Sequence, residues 1–347
     1  MKIVSLFSGA GGLDLGFEKA GFTTVWANEY DKEIWETYEK NFPHVELNRK
    51  SIRDVESGEI PDCDGIIGGP PCQSWSEAGA LRGIKDKRGQ LFYEFIRILR
   101  DKQPKFFVAE NVSGMLASRH SGAMESIQEL FKESGYTLSF TMLNASDYWV
   151  PQDRKRVFFI GIRNDLNTTF EFPKPFNKKR CLKDIIYDIK DKALPAKVKN
   201  YSNGDLCSIS NHEYLIGGFS SIFMSRNRVR SWDEQSYTIQ AGGRHAPIHP
   251  QAPKMEFVEQ NVRIFVPGKE KLYRRLTVRE CARIQTFPDT HQFYYKNVMA
   301  GYKMVGNAVP ATLAFFIAKK IHSDLNSPEG CEVYEPTLAE YKALVPA

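Results

Sequence analysis

Short apolar runs alternate with helical stretches through the first 165 residues, and few folds survive that constraint. Ile3 to Phe7, Thr23 to Ala27, Gly65 to Ile67, Phe106 to Ala109, Leu138 to Leu143 and Val157 to Ile162 read as buried strands. Gly12 to Ala20, Lys32 to Asn41, Gln90 to Lys102 and Gly122 to Ser134 read as the helices between them. Parallel strands need helical crossovers of this kind, so the rhythm predicts an α/β domain with a parallel sheet and helices on both faces. Open sheets of this type place their ligands at the carboxyl ends of the strands.

Three segments carry reactive side chains, two of them at such ends. Gly68-Gly69-Pro70-Pro71-Cys72-Gln73 follows the third apolar run, and its two prolines fix φ and cannot join a ladder. The strand must stop there, with Cys72 on a stiff turn. A lone cysteine in such a place is ordinarily a small hydrophobe. Its company argues for more. Val108-Ala109-Glu110-Asn111-Val112 delivers an acid and an amide, and Gln152-Asp153-Arg154-Lys155-Arg156 puts two arginines at alternate positions of an extended segment. Nucleophile, proton handler and anion stabiliser are then all present.

Ser8-Gly9-Ala10-Gly11-Gly12 follows the first strand and opens a helix, where glycines let backbone approach a ligand closely. A dinucleotide fingerprint would place a third glycine at position 14, which is Asp14. Taken alone, the loop suits a dinucleotide as well as another nucleoside ligand. Glu29, at the end of the second strand, suits a ribose diol, and Tyr30 could lie against an adenine face.

In that order these segments resemble the bacterial cytosine-C5 DNA methyltransferases of restriction-modification systems. The matching blocks run from Phe7-Ser8-Gly9 to Gly306-Asn307-Ala308-Val309-Pro310, most of the chain. The resemblance implies a Rossmann-like S-adenosylmethionine-dependent methyltransferase sheet and a smaller, irregular target-recognition domain. It implies transfer of a methyl group to C5 of a flipped-out cytosine in double-stranded DNA, with S-adenosylhomocysteine as product. Cys72 would bond covalently to cytosine C6, Glu110 would bind the N3 and amino edge, and Arg154 would favour the thiolate and steady the base carbonyl. Asn111 would orient the loop. Phe7, Gly9, Gly11, Gly12, Glu29, Tyr30, Ile52, Pro70, Leu91, Asn307 and Ala308 would line the cofactor. Ser51 stands where the family carries an aspartate toward the adenine amino group. Residues 73 to 91 would move over the base, and Gln73, Ser76, Arg82, Arg88 and Arg156 would meet DNA.

From residue 164 the strand-helix rhythm fails, and from Phe219 to Ile284 aromatics and arginines interleave without a period. The expected boundaries are 1–180 with 300–325 for the catalytic domain, 181–299 for recognition, and a loosely held tail at 326–347. Pro310 to Ile321 forms an apolar helix that, by the resemblance, packs back on the first domain. The chain carries a net charge of +5, and the whole surplus lies between residues 197 and 290, which hold 14 Lys/Arg against 9 Asp/Glu. That distribution points to a phosphate backbone. Arg226, Arg228, Arg230 and Arg244 fall in the region of target recognition. Arginine reads guanine bidentately, so a short G/C-rich site is implied, with GGCC the candidate suggested by similarity to enzymes that modify it.

Six cysteines show no metal-ligand spacing, which fits reduced thiols in a bacterial cytoplasm. No run of 18 apolar residues suggests a membrane span. The resemblance adds a partner restriction endonuclease and a monomeric enzyme. A nicotinamide oxidoreductase would leave Pro-Pro-Cys and Gln-x-Arg-x-Arg idle. An RNA cytosine methyltransferase would share the catalytic residues, but the basic second domain favours duplex DNA.

Overall fold

The computed structural model describes residues 1–71, 90–117, 121–326, 334–337 and 339–340 of the 347-residue chain. Cys72, Gln73, Ser76, Arg82 and Arg88 lie outside the described residues. Two compact units emerge, one of Met1–Asn144, Lys155–Pro175 and Ala311–Ala347, the other of Ala145–Arg154 and Phe176–Pro310.

The first unit is built on a seven-stranded sheet. Its strands are β1 (Lys2–Leu6), β2 (Thr23–Asn28), β3 (Glu46–Asn48), β4 (Gly65–Gly68), β5 (Phe106–Val112), β6 (Tyr136–Asn144) and β7 (Lys155–Arg163), in the order β3-β2-β1-β4-β5-β7-β6. The first five pair in parallel, joined through α1 (Gly12–Lys19), α2 (Trp35–Asn41) and α3 (Gln90–Lys102) among other segments; α4 (Ser121–Glu133) precedes β6. Two features depart from the sequence reading. β3 is only three residues long, too short to show a period. β7 inserts between β5 and β6 and runs antiparallel to both. No α-helix separates β6 from β7, and without a helical crossover a reversed pairing is the natural one.

β4 is buried on both faces, as a central parallel strand should be. Val4, Leu6, Ile66, Phe95, Leu99, Phe107, Phe131 and Phe159 belong to one apolar cluster, and the Phe107 and Phe131 rings stack 4.4 Å apart. Each such side chain contributes about 1.5–3 kcal/mol by leaving water. The C-terminal helix, Ala311–Asn326, packs on α1. Gly16 permits the approach, since a methyl there would lie 2.5 Å from Ala314 Cβ. This is the return predicted from the apolar stretch after Pro310, although the first unit resumes at Ala311 rather than at residue 300. Val298–Asn326 is long and apolar enough to cross a membrane by length and composition, but most of its apolar window is buried, as core helices are.

The second unit is poor in regular structure: α5 (Lys183–Ile186), β8 (Leu194–Pro195), β9 (Glu213–Tyr214), α6 (Ser221–Met224), β10 (Glu256–Glu259), β11 (Val262–Ile264), α7 (Val278–Ile284) and α8 (Val298–Asn307), with short 3-10 turns. Backbone carbonyls outside ladders still need donors when buried. Arginines supply them, five N–H groups to a side chain. Arg275 donates to the Gly217 and Gly218 carbonyls while stacked 4.0 Å over Phe219. Arg279, fully buried, donates to the carbonyls of Ser210, Pro288 and His291. Arg274 clamps the buried Glu280 through two bonds of 2.8 and 2.7 Å. Burial alone would raise the Glu280 carboxyl, yet Arg274 beside it holds it down at about 2. Much of the positive surplus in this region is therefore internal scaffolding, and the inference from it to a phosphate backbone is corrected accordingly.

Candidate active site

The reactive residues that the structure describes converge where β4, β5 and β7 meet. Glu110 and Arg156 face each other because of register. β5 and β7 pair Glu110 with Phe158 and Val112 with Arg156, so Glu110 and Arg156 are diagonal neighbours on one face, within reach of long side chains. Arg156 Nε lies 2.9 Å from the Glu110 carboxylate, with both side chains largely buried. A methyl group on Gly69 would sit 3.5 Å from that carboxylate, so the acid lies against the backbone that leads into Cys72. Asn111 donates from Nδ2 to the Pro70 carbonyl at 3.0 Å and accepts from its neighbour's amide through Oδ1. The amide thus ties the end of β5 to the proline turn.

The arginine beside the acid is Arg156, assigned to DNA from sequence. Arg154 is elsewhere. It is 1% exposed, and its guanidinium donates to the carbonyls of Ile239, Gly306 and Ala308, each at 3.0 Å. Sequence reasoning placed both arginines on one face of a strand. β7 begins only at Lys155, and Arg154 belongs to the second unit. Gln152 joins it there, bonded to the Gln285 side chain and the Ile239 amide, while Gln285 donates to the carbonyls of Val305 and Ala308. The Gln-x-Arg pair is a brace for the Gly306-Asn307-Ala308 segment. Gln285 was missed because nothing in its sequence surroundings distinguishes it.

The glycine loop, expected from sequence to meet a nucleoside, has a tightly wound backbone. Phe7, Gly9 and Gly11 all have positive φ (55°, 55° and 80°). No atom of the described residues lies within 4 Å of where a Gly9 Cβ would be, so that side of the loop is open. The Ser8 hydroxyl is buried without a partner among the described residues. Glu29 accepts from the Gly9 amide at 2.9 Å and from the Asp31 amide at 2.7 Å, which fixes its carboxylate at the mouth of the loop. Tyr30 is 72% exposed, free to cover a flat ring. The Ser51 turn is anchored on both sides. Asn28 donates to the Lys50 carbonyl at 2.9 Å, and Arg97 of α3 donates to the Ile52 and Val55 carbonyls. Ile52 is 2% exposed and Pro70 is buried, while Phe7 and Leu91 are partly buried against the same cluster. Asn307 is exposed and Ala308 buried, both in the second unit.

Beneath the loop, Asp14 accepts from Tyr38 (2.7 Å) and Ser5 (3.0 Å), and burial pushes its carboxyl up to about 6. It replaces the third glycine of a dinucleotide loop with a polar anchor between β1, α1 and α2.

Residues 1–323 match the family of C-5 cytosine-specific DNA methylases. The chain belongs to that family. It is 60% identical over 332 residues to the type II methyltransferase M.FnuDI of Fusobacterium nucleatum, covering 95% of this chain and 96% of that protein. It is 58% identical over 330 residues to M.NgoPII of Neisseria gonorrhoeae, covering 94% and 96% respectively. A crystallised DNMT2 variant of Spodoptera frugiperda shares the fold at a TM-score of 0.67 and 18% identity, over 94% of this chain and 99% of that one. The protein is thus a DNA cytosine-C5 methyltransferase that uses S-adenosylmethionine, and the open cradle of the glycine loop fits that cofactor.

In the second unit, Arg226, Asn227, Arg228, Tyr237, Thr238, Gln240, His245 and Pro247 with Asp153 line a cleft of about 240 Å³. The four arginines named from sequence differ sharply there. Arg228 is 8% exposed, donates to the Phe223 and Ile222 carbonyls and lies 4.8 Å over the Phe223 ring. Its assignment to DNA is corrected to a structural one. Arg230 is drawn off by Glu234 and Asp153. Arg226 and Arg244 are exposed.

Proposed function

We propose that this enzyme methylates cytosine in a short G/C-rich duplex site, through a covalent bond between Cys72 and C6 of a flipped-out base. GGCC is the candidate site. The observation that carries the reading is the Glu110–Arg156 pair against Gly69, three residues before Cys72. S-adenosylmethionine supplies the methyl group from a sulfonium centre. The chain must make C5 nucleophilic. The Cys72 thiolate adds to C6, and Glu110 gives N3 a proton as charge builds on the ring, so C5 gains the electron pair. Arg156, paired with Glu110, would steady both the carboxylate and the base carbonyl. Once C5 carries the methyl group, water takes the C5 proton, the C5–C6 double bond re-forms as the thiolate leaves C6, and N3 returns its proton to Glu110.

Glu29, the loop amides, Tyr30, Ser51 and Ile52 would hold the nucleoside. Reaction at C5 requires the base to leave the stack. Arg226, Arg244, Gln240 and His245 are the side chains free to read base edges, and Gln73, Ser76, Arg82 and Arg88 would touch DNA around the base. The type II relatives support a role in protecting host DNA from a paired endonuclease, and the enzyme would act as a monomer. Duplex containing 5-fluorocytosine cannot release its C5 substituent, so it should trap the wild-type enzyme in a denaturation-resistant adduct and fail to trap Cys72→Ala. An adduct with the alanine variant would refute the covalent assignment.

A further inference from the structure

Residues 197 to 201 of the second unit form a turn held in an unfavourable shape. Lys199 and Asn200 adopt left-handed backbone back to back, φ 59° and 61°. Such residues persist only where surroundings impose them. The surroundings do so here. Asn297 donates to the Lys199 carbonyl at 3.0 Å, the Asn200 side chain accepts from the Ile216 amide at 2.8 Å, and the Lys197 amide meets the Tyr201 carbonyl at 2.8 Å. Ser202 donates to the Lys296 carbonyl at 2.8 Å, which brings a third lysine alongside.

The result is a rigid tip with a uniform character. Val198 is 78% and Tyr201 54% exposed, and Lys197, Lys199 and Lys296 are all exposed. None of the three lysines has a carboxylate partner among the described residues. The buried Glu213 beneath is taken up by Ser202 and the Asn203 amide. The tip also lies near the recognition cleft. Ile216, bonded to Asn200, follows Leu215, and Leu215 Cδ1 lies 3.2 Å from where a Gly243 Cβ would be. Gly243 leads directly into Arg244 and His245.

We infer that Lys197, Lys199, Lys296 and Tyr201 form a phosphate-binding surface that grips duplex DNA beside the recognised bases. This rests on the reading that the cleft around Arg226 and His245 faces DNA. Preformed backbone spares the cost of ordering the turn on binding, and the tyrosine hydroxyl can donate to a phosphate oxygen. The partner is the backbone rather than a base, because ammonium groups carry charge without a planar donor pattern.

The test compares wild type with Lys197→Ala/Lys199→Ala/Lys296→Ala, measuring duplex affinity across salt concentrations. Three lost phosphate contacts should flatten the log–log slope by about 3, so that raising salt from about 50 to 200 mM weakens the variant about 40-fold less than wild type. Preference for cognate over mismatched duplex and the turnover rate at saturating DNA should not change. The triple Lys→Arg variant should keep the slope. On a duplex trimmed to the recognised bases, wild type and alanine variant should bind alike. An unchanged slope, or an altered base preference, overturns the proposal while leaving the methyltransferase reading intact. Wild-type protein that binds no duplex at all would sink both.

Discussion

Replacing Arg154 and Arg156 by methionine, one at a time, tests whether the scaffolding role belongs to the first and the catalytic role to the second. Arg154 makes three 3.0 Å bonds to buried carbonyls and is 1% exposed. A bond from a charged donor contributes about 1.5–3 kcal/mol, but three bonds from one guanidinium do not add in full. Methionine refills most of the volume, and its thioether cannot serve the carbonyls. The expected loss is about 3–5 kcal/mol, the range for breaking a buried polar cluster by removing one member. For a unit of this size that lowers the melting midpoint by about 10 °C. Arg156 is partly exposed and bonded to a single acid, so its loss should cost about 1–2 kcal/mol. Its effect on catalysis should be large, about 10²–10³ in methyl-transfer rate, as for other donors aimed at developing charge. Thermal unfolding followed by circular dichroism, with radiolabelled methyl transfer measured well below both midpoints, supplies the two readouts. If Arg154→Met melts with the wild type yet transfers no methyl, the structural account of that residue is wrong.

The cofactor cradle gives a second contrast. Ser51→Ala should weaken S-adenosylmethionine binding by about 0.5–1.5 kcal/mol, while Glu29→Ala, which also frees the Gly9 and Asp31 amides, should cost about 1.5–3 kcal/mol; calorimetry showing the reverse order would contradict the assignment. Asp14 offers a pH test. Its carboxyl rises on folding from an ordinary 3.8 to about 6, so the folded state binds that proton more tightly, and the stability this confers is complete below about 4 and is lost as pH climbs through 6. The change is about 3 kcal/mol, and Asp14→Asn should remove it, so the melting difference between variant and wild type should shift in the variant's favour between pH 4 and 7. A difference independent of pH would mean that Asp14 does not titrate there.

The strands of the first unit were legible because burial on both faces leaves an unmistakable apolar run, as in Ile66-Ile67 or Phe106-Phe107-Val108. β3 was not, since Glu46-Leu47-Asn48 offers a single apolar residue. The antiparallel insertion of β7 was also hidden. Strand direction depends on what joins β6 to β7, and residues 145 to 154 carry no local mark of belonging to another unit. Glu29, Glu110 and Asn111 stand out in the sequence because each ends an apolar run, a position where open sheets place ligands. The anchors behind them, Asn28, Arg97 and Asp14, act through backbone groups distant in sequence, and no motif announces such a bond.

Arginine marks the sharpest limit of reading function from sequence. In a unit with few ladders, the same side chain that could grip a phosphate or a guanine is also the best donor for stranded carbonyls. Composition cannot tell these uses apart, because both call for a planar cation with several N–H groups. Only burial decides. Arg228 and Arg226 are two residues apart, yet one is spent on Phe223 and Ile222 while the other stands exposed at the cleft. Lysine behaves differently. An ammonium is too strongly hydrated to serve as interior scaffolding at low cost, so exposed and unpaired lysines such as Lys197, Lys199 and Lys296 are a cleaner sign of a phosphate partner than the arginines that dominate the charge count. The DNA-facing surface of this unit should therefore be sought where its lysines cluster, with the base-reading groups limited to the few arginines that the scaffold leaves free.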